Sequence, residues 1–238
     1  MILKITRFIL SVILLAIVGV VGTFISAFRP FHPSNVYTIA RLVSVGINIL
    51  GIEVILRNAE KLKENTPGLF ISNHQHNIDV FIASTILPDR TVSLGKKSLK
   101  WVPLFGQFYW LSGNILIDRK NKRKAHGTMD QVGEAIKKKK MNIWMMPEGT
   151  RSHGRGVLPF KKGAFFTAIN AQVAISPICI SSYDAGLDFS KWKSGKVIVE
   201  VLDPIPTDGL TKRDVGTLCE NTYQLVKNKV QELDNELS

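Results

Sequence analysis

Cysteine is almost missing from this chain: only Cys179 and Cys219 occur among 238 residues. Two thiols make no disulfide framework, and they fit a reducing compartment. No Cys-x-x-Cys pair is present, which removes the commonest zinc and dithiol patterns. Histidine is scarce too, at five residues. There is no internal repeat and no low-complexity linker, so repeat arrays are excluded. No Gly-x-Ser-x-Gly elbow occurs, so that form of serine nucleophile is absent. Acidic residues are outnumbered 19 to 31, leaving a formal charge of +12 and a pI near 9.8. That excess favours an acidic partner: nucleic acid, anionic membrane, phosphorylated substrate or acidic carrier protein. Nucleic acid has only the charge in its favour, because no nucleic-acid fold signature accompanies it.

What the chain does have is apolar content, 45% of residues, enough for a folded core. Its amino end carries "FILSVILLAIVGVVGTFISAF" (8–28), 21 residues without a charge. As a helix this is roughly 31 Å long, about one hydrocarbon thickness. Lys4, Arg7 and Arg29 flank it. A signal peptide would be shorter and would end in a small-x-small cleavage site, so the run reads as a membrane attachment. "SNVYTIARLVSVGINILG" (34–51) follows, with Ser34 placed to cap its start and Gly51 its end. Thr38, Arg41, Ser44 and Asn48 lie on one stripe of an otherwise apolar helix. It reads as a helix in the membrane interface or paired with the first; the other reading is a core helix.

After Gly51 the pattern alternates. Residues 52–56, 69–73, 91–95, 114–119, 142–146, 174–180 and 196–202 read as strands. Residues 79–87, 124–140 and 161–170 read as helices. Thr211 and Asp214 resemble a capping box, ahead of a closing helix with Val215, Leu218, Leu225, Val226, Val230, Leu233 and Leu237 on its apolar face. The expected architecture is α/β: one domain (51–238) with a mixed, mostly parallel sheet flanked by helices, preceded by a two-helix membrane anchor (1–50). The aromatic stretch 101–110 reads equally as core or as a lipid contact. The basic runs 119–124 and 137–140 read either as a solvated face or as a contact for anionic headgroups or an acidic carrier protein.

The short loop "SNHQHN" (72–77) holds two of the five histidines. A metallohydrolase loop of the His-x-His-x-Asp-His kind needs aspartate four positions after the first histidine, but Ile78 stands there and Asp79 follows. No metal is implied. On an ideal helix, five steps from His74 to Asp79 would turn them roughly 140° apart. They meet only if His74 lies in a loop and Asp79 begins the next helix, which is the layout the pattern offers. A carboxylate on one imidazole nitrogen would leave the other to take a proton near neutral pH. The plainer reading makes Asp79 a helix cap and His74 a loop residue. His76 has no required role in either.

Three later segments weigh on that choice. "GNILIDR" (113–119) ends in Arg119, "PEGTRS" (147–152) brings Glu148 and Arg151, and "AISPI" (174–178) is a proline-interrupted strand. With Asn-His-x4-Asp ahead of them, they resemble in order the four motifs of the glycerolipid acyltransferase family. The flanks "VSLGKKSLKWVPLFGQFYWLSG" and "GRGVLPFKKGAF" extend the resemblance over nearly the whole chain. Met146 stands where the family usually has phenylalanine before Pro-Glu-Gly.

The resemblance implies transfer of a fatty acyl group from acyl-CoA or acyl carrier protein to the 2-hydroxyl of lysophosphatidic acid. The sibling activities use glycerol 3-phosphate or another lysophospholipid. It implies His74 as base and Asp79 as its partner, with no cofactor. Glu148, Gly149, Thr150 and Arg151 would bind the acceptor, with Arg119 and Lys96 as further phosphate candidates. Glu148 would hold a glycerol oxygen or orient Arg151. The bacterial likeness implies the inner membrane, with the site facing the cytoplasm, where thioesters are. A single full span with the amino end inside would put the site on the wrong side. An anchor entering and leaving one leaflet removes that conflict.

Overall fold

The computed structural model describes residues 2–118 and 122–237. The elements run α1 (Ile2–Phe28), α2 (Asn35–Val43), α3 (Gly46–Leu50), β1 (Ile52–Arg57), α4 (Lys61–Glu64), β2 (Leu69–Ser72), α5 (Asp79–Ile86) and β3 (Thr91–Lys96). A 3-10 turn at Lys97–Trp101 leads into α6 (Phe105–Leu111) and β4 (Ile115–Ile117). Then come α7 (Lys122–Lys139), β5 (Asn142–Met145), α8 (Gly163–Ala171), β6 (Ile175–Ile180), α9 (Tyr183–Gly186), β7 (Gly195–Val201) and α10 (Val215–Leu237). The seven strands form one sheet in the order β1-β7-β6-β2-β5-β3-β4. Every neighbouring pair is parallel except β6 with β7. The expected mixed, mostly parallel sheet is what forms.

Alternation of side chains divides the core in two. Phe70 of β2, Trp144 of β5 and Ile178 of β6 join one cluster with Val18 of α1, Ile39 and Val43 of α2, and Phe81 and Ile82 of α5. Leu69, Ile71, Ile143 and Met145 point the other way, against Val132 and Ile136 of α7, Phe165 of α8 and Cys219 of α10. Strands covered on both faces read as unbroken apolar runs, as β2 and β5 do. Connections β1 to β2 to β3 to β4 travel along the first face. Those from β4 to β5 to β6 return along the second. Opposite travel on opposite faces keeps one crossover hand. β2 and β5 therefore lie side by side, their outgoing connections crossing on opposite faces, and the loops at their carboxyl ends are neighbours.

Three details depart from expectation. The 34–51 segment is two helices, α2 and α3, broken at Ser44–Val45, where bonds slip to i→i−3. Ser34 makes no side-chain cap, whereas Gly51 closes α3 with φ +67°. One side of this pair is buried: Ile39, Ala40, Val43, Ile47 and Leu50 are core, while Leu42 and Val45 stay exposed. The closing helix buries Cys219 and Thr222, and Leu225 faces outward. The aromatic stretch divides as well: Phe108 and Tyr109 are buried, Trp101 and Trp110 exposed.

Candidate active site

The site grows from the end of β2. Asn73 leaves the strand but keeps its ladder: its Nδ2 donates to the Ile180 carbonyl at 2.8 Å and its Oδ1 accepts the Ile180 N–H at 2.9 Å. Gln75 points inward and bridges the carbonyls of Ile180 and Ser181 to the Tyr183 N–H. The carbonyls of His74 and Gln75 accept N–H groups from Ser152 and His153, at 2.8 and 3.2 Å. The loop is therefore tied on both sides, through Asn73 and Gln75 and through its own carbonyls.

Asp79, the first residue of α5, is 2% exposed. Its Oδ2 meets His74 Nδ1 at 2.5 Å and accepts the Gln75 N–H at 2.8 Å. Its Oδ1 accepts the His76 N–H at 3.0 Å and the Tyr183 hydroxyl at 2.7 Å. A buried carboxylate with three fixed donors is an acceptor, so Nδ1 carries the hydrogen and Nε2 holds a free lone pair. His74 keeps about a fifth of its side chain accessible. Burial, then the neighbouring carboxylate, pushes the Tyr183 hydroxyl well above its ordinary range, so it remains a donor.

Glu148 sits beneath this pair, 2% exposed. Its Oε1 accepts the His74 N–H at 2.6 Å and its Oε2 the Leu158 N–H at 3.1 Å. Burial pushes its carboxyl up to about 7 against the pull of those two bonds. In the structure its oxygens serve backbone of two loops, and among the described residues no ion pair joins it to Arg151. Gly149 has φ +68°, and a Cβ there would come within 2.6 Å of the Lys161 ammonium. The positive φ favours glycine, whereas the mobile lysine end could move aside.

Thr150 and Arg151 are exposed on the same loop. Arg155 braces that loop by donating to the carbonyls of Ser152 and Arg151, at 2.7 and 3.3 Å. Lys96 is exposed at the end of β3, two strands from β2. Arg119 lies outside the described residues. The structure thus joins His74, Asp79 and Glu148 in one network, with Thr150 and Arg151 on the adjoining loop and Lys96 farther along the sheet edge.

Two residues escaped the sequence reading. Tyr183 is 104 positions from Asp79, and no spacing signals their bond. Lys161 covers Gly149; its only signal was a lysine pair just before an apolar helix. His76 packs edge-on against His153, with ring centroids 5.6 Å apart, outside the dyad. Among the described residues, no three His, Cys, Asp or Glu side chains converge as a metal site. Cys179 and Cys219 are buried, and burial pushes both thiols up, so neither is a ready thiolate. The arrangement offers one accessible imidazole lone pair, oriented by a buried carboxylate, able to take a proton from a bound hydroxyl.

The acyltransferase family profile matches residues 53–181, from β1 through the end of β6. The 1-acyl-sn-glycerol-3-phosphate acyltransferase of Haemophilus influenzae is 42% identical over 236 residues, covering 99% of this chain and 98% of its own length. That of Escherichia coli is 42% identical over 236 residues, covering 99% and 96%. The human alpha form is 37% identical over 204 residues, 83% of this chain and 71% of that protein. The crystal structure of the enzyme from Thermotoga maritima superposes with a TM-score of 0.75 over 98% of this chain and 95% of that one, at 18% identity. That last likeness concerns the fold.

Proposed function

The chain belongs to the acyltransferase family, and from that membership we propose that it acylates the 2-hydroxyl of 1-acylglycerol 3-phosphate, giving phosphatidic acid for phospholipid synthesis. The observation that carries the mechanism is the His74–Asp79 pair at 2.5 Å with Nε2 left open. Nε2 takes the proton of the acceptor hydroxyl as its oxygen attacks the thioester carbonyl. The new C–O bond forms, the C–S bond breaks, and the thiolate leaves with the electron pair. Imidazolium then returns its proton to thiolate or water. A thiolate is a stable leaving group, so little acid help is needed. The hydroxyl comes from the substrate, so the transfer is direct and needs no acyl-enzyme.

Arg151 binds the acceptor phosphate, with Lys96 and Arg119 as further candidates. Glu148 acts by position, fixing the His74 backbone against the 147–158 loop. The donor is an acyl thioester of coenzyme A or acyl carrier protein. A panel of acceptors given a radiolabelled thioester in detergent tests this reading. Label should appear in phosphatidic acid, and preference for glycerol 3-phosphate or another lysophospholipid would replace it with a sibling activity.

Residues 1–50 anchor the enzyme in one leaflet of the bacterial inner membrane, with the site facing the cytoplasm. Among the described residues α1 is the one helix long and apolar enough to cross a bilayer. One stripe of it faces the domain, with Arg7, Ser11, Val18, Gly19 and Gly22 buried, while Phe8, Val12, Ile17, Val20 and Phe24 are exposed. It is held to the domain at three places. Arg7 donates to the carbonyls of Phe189, Lys191 and Trp192 and to Ser194 Oγ. Gly19 and Gly22 lie against Leu104 and Phe108, and the Phe31 N–H donates to the Leu111 carbonyl at 2.8 Å. A helix fastened along its length cannot cross the bilayer while the domain stays in water. It lies along the leaflet, apolar stripe down. Trp192 near its amino end (81% exposed), and Trp101 and Trp110 near the other, suit the headgroup level. Quenching of Trp192 fluorescence by bromolipids tests this placement; an unquenched Trp192 beside quenched Trp110 would argue for a tilted span.

A further inference from the structure

A buried carboxylate beside an imidazole acts in two opposed ways. It orients the ring, and it also favours the protonated ring, because burial strengthens the attraction between the two charges. An imidazolium has no lone pair to accept a proton, so such a base works near neutral pH only if other donors share the carboxylate's charge. Asp79 is 2% exposed and meets His74 Nδ1 at 2.5 Å. Three further donors share it: the N–H groups of Gln75 and His76, at 2.8 and 3.0 Å, and the Tyr183 hydroxyl at 2.7 Å. The two N–H groups belong to the turn that leads into Asp79. The hydroxyl comes from a distant segment, the start of α9 just after β6.

Tyr183 is 7% exposed, and its ring joins the apolar cluster of Phe70, Phe81 and Ile180, a place phenylalanine would fill as well. A phenol buried there costs desolvation, which the bond to Asp79 offsets. Its own N–H donates to Gln75 Oε1 at 3.1 Å, so backbone and side chain hold the same loop. Tyr183 lies beyond residues 53–181, which the family profile matches. We propose, on the acyltransferase reading above, that Tyr183 is a positioning residue for the transfer: its hydroxyl draws on the Asp79 carboxylate so that His74 is held in place yet stays an unprotonated base near neutral pH. It acts through Asp79 and touches no reacting atom. The other titratable groups around the pair come from two loops. Glu148 accepts the His74 N–H, and its carboxyl feels the charges of Asp79 and Arg155. The His76 ring packs on His153, and Arg151 is exposed on the adjoining loop.

The test is the pH profile of kcat for the full chain in detergent, with palmitoyl-CoA and lysophosphatidic acid near saturation. Tyr183→Phe keeps the ring and removes the hydroxyl. Without that bond Asp79 holds the imidazolium more tightly, so the acid limb should move up by about one pH unit, the scale of one lost hydrogen bond to a charged group. On that limb kcat should lie about tenfold below wild type, and on the alkaline plateau within about threefold, with both KM values within about twofold. A merely structural role gives another pattern, a loss equal at every pH with the acid limb in place. That pattern, or a profile identical to wild type, overturns the proposal. Site-specific replacement of Tyr183 by 3-fluorotyrosine is the second variant. It is a more acidic phenol of nearly the same size, so it keeps the fold and donates more strongly, and the acid limb should move down. An acid limb that stays in place in the fluorinated protein overturns the proposal even where Tyr183→Phe unfolds. Wild-type protein that acylates no lysophosphatidic acid would instead overturn the acyltransferase reading.

Discussion

The His74 loop and the Arg151 loop lie side by side at the carboxyl end of the sheet, yet they are built in opposite ways. Around His74, Asp79 collects four hydrogen bonds, from two loop N–H groups, the His74 ring and the buried Tyr183 hydroxyl, and Glu148 accepts two from backbone N–H groups. Thr150 and Arg151, a few residues from Glu148, project into solvent from a loop held through its backbone, by the Ser152 and His153 N–H groups on the His74 loop and by Arg155 on the carbonyls of Ser152 and Arg151. In the proposed mechanism the difference separates two tasks. A base must be oriented before the reaction, so its ordering cost is met in folding. A phosphate ligand gives its energy on binding and tolerates a flexible arm. Changes in the first region should therefore fall on kcat and those in the second on KM.

The sharpest break of that contrast is His74→Ala. It should lower kcat by on the order of 10³-fold or more with little change in either KM, since one base supplies that much. Thermal unfolding in detergent would check that the fold is kept. Arg151→Ala comes next. Loss of a charge-assisted phosphate contact costs roughly 1.5–3 kcal/mol, or about 10- to 150-fold in acceptor KM. The donor KM should hardly move. An unchanged acceptor KM would transfer phosphate binding to Lys96 or Arg119.

Glu148→Gln probes the buried side of the comparison through pH. The carboxyl is raised from 4.5 to about 7 by burial. Between those values the folded chain keeps a proton that the unfolded chain has lost. Its contribution to stability is therefore present below the unfolded value and is lost as pH rises through about 7. The span is on the order of 3 kcal/mol. Glutamine does not titrate, so the variant's denaturation midpoint should be flatter across that window than the wild type's. The smallest effect is expected of His76→Ala, within about tenfold of wild-type activity, because Asp79 uses its backbone N–H, which alanine retains. A loss equal to that of His74→Ala would point to a two-histidine site.

Much of this was legible in the chain. The alternation of apolar runs with helical stretches gave the α/β sheet, and β2 and β5 announced themselves as unbroken apolar segments ended by Asn73 and Pro147. The His74–Asp79 geometry followed from loop-then-helix spacing, because both residues lie in one local segment. Contacts between distant segments were not legible. Tyr183 reaches Asp79 only because β6 lies beside β2. The motif resemblance places Glu148 at the acceptor, while the backbone N–H groups of His74 and Leu158 that it holds come from how two loops dock, which spacing does not record. The break at Ser44–Val45 and the outward Leu225 show the limit of periodicity, which gives a helix's apolar residues but not which neighbour each meets. Lys161 over Gly149 depends on backbone approach, which composition does not record.

The most direct test of the account is an acid quench of wild-type protein mixed with labelled acyl thioester. The mechanism assigns the attack to the acceptor's own hydroxyl, with His74 as base and no enzyme nucleophile. Without acceptor, the denatured protein should carry no acyl label at any time; with acceptor, label should pass to phosphatidic acid without appearing on protein. Stoichiometric labelling of the chain, chased into product when acceptor is added, would contradict it.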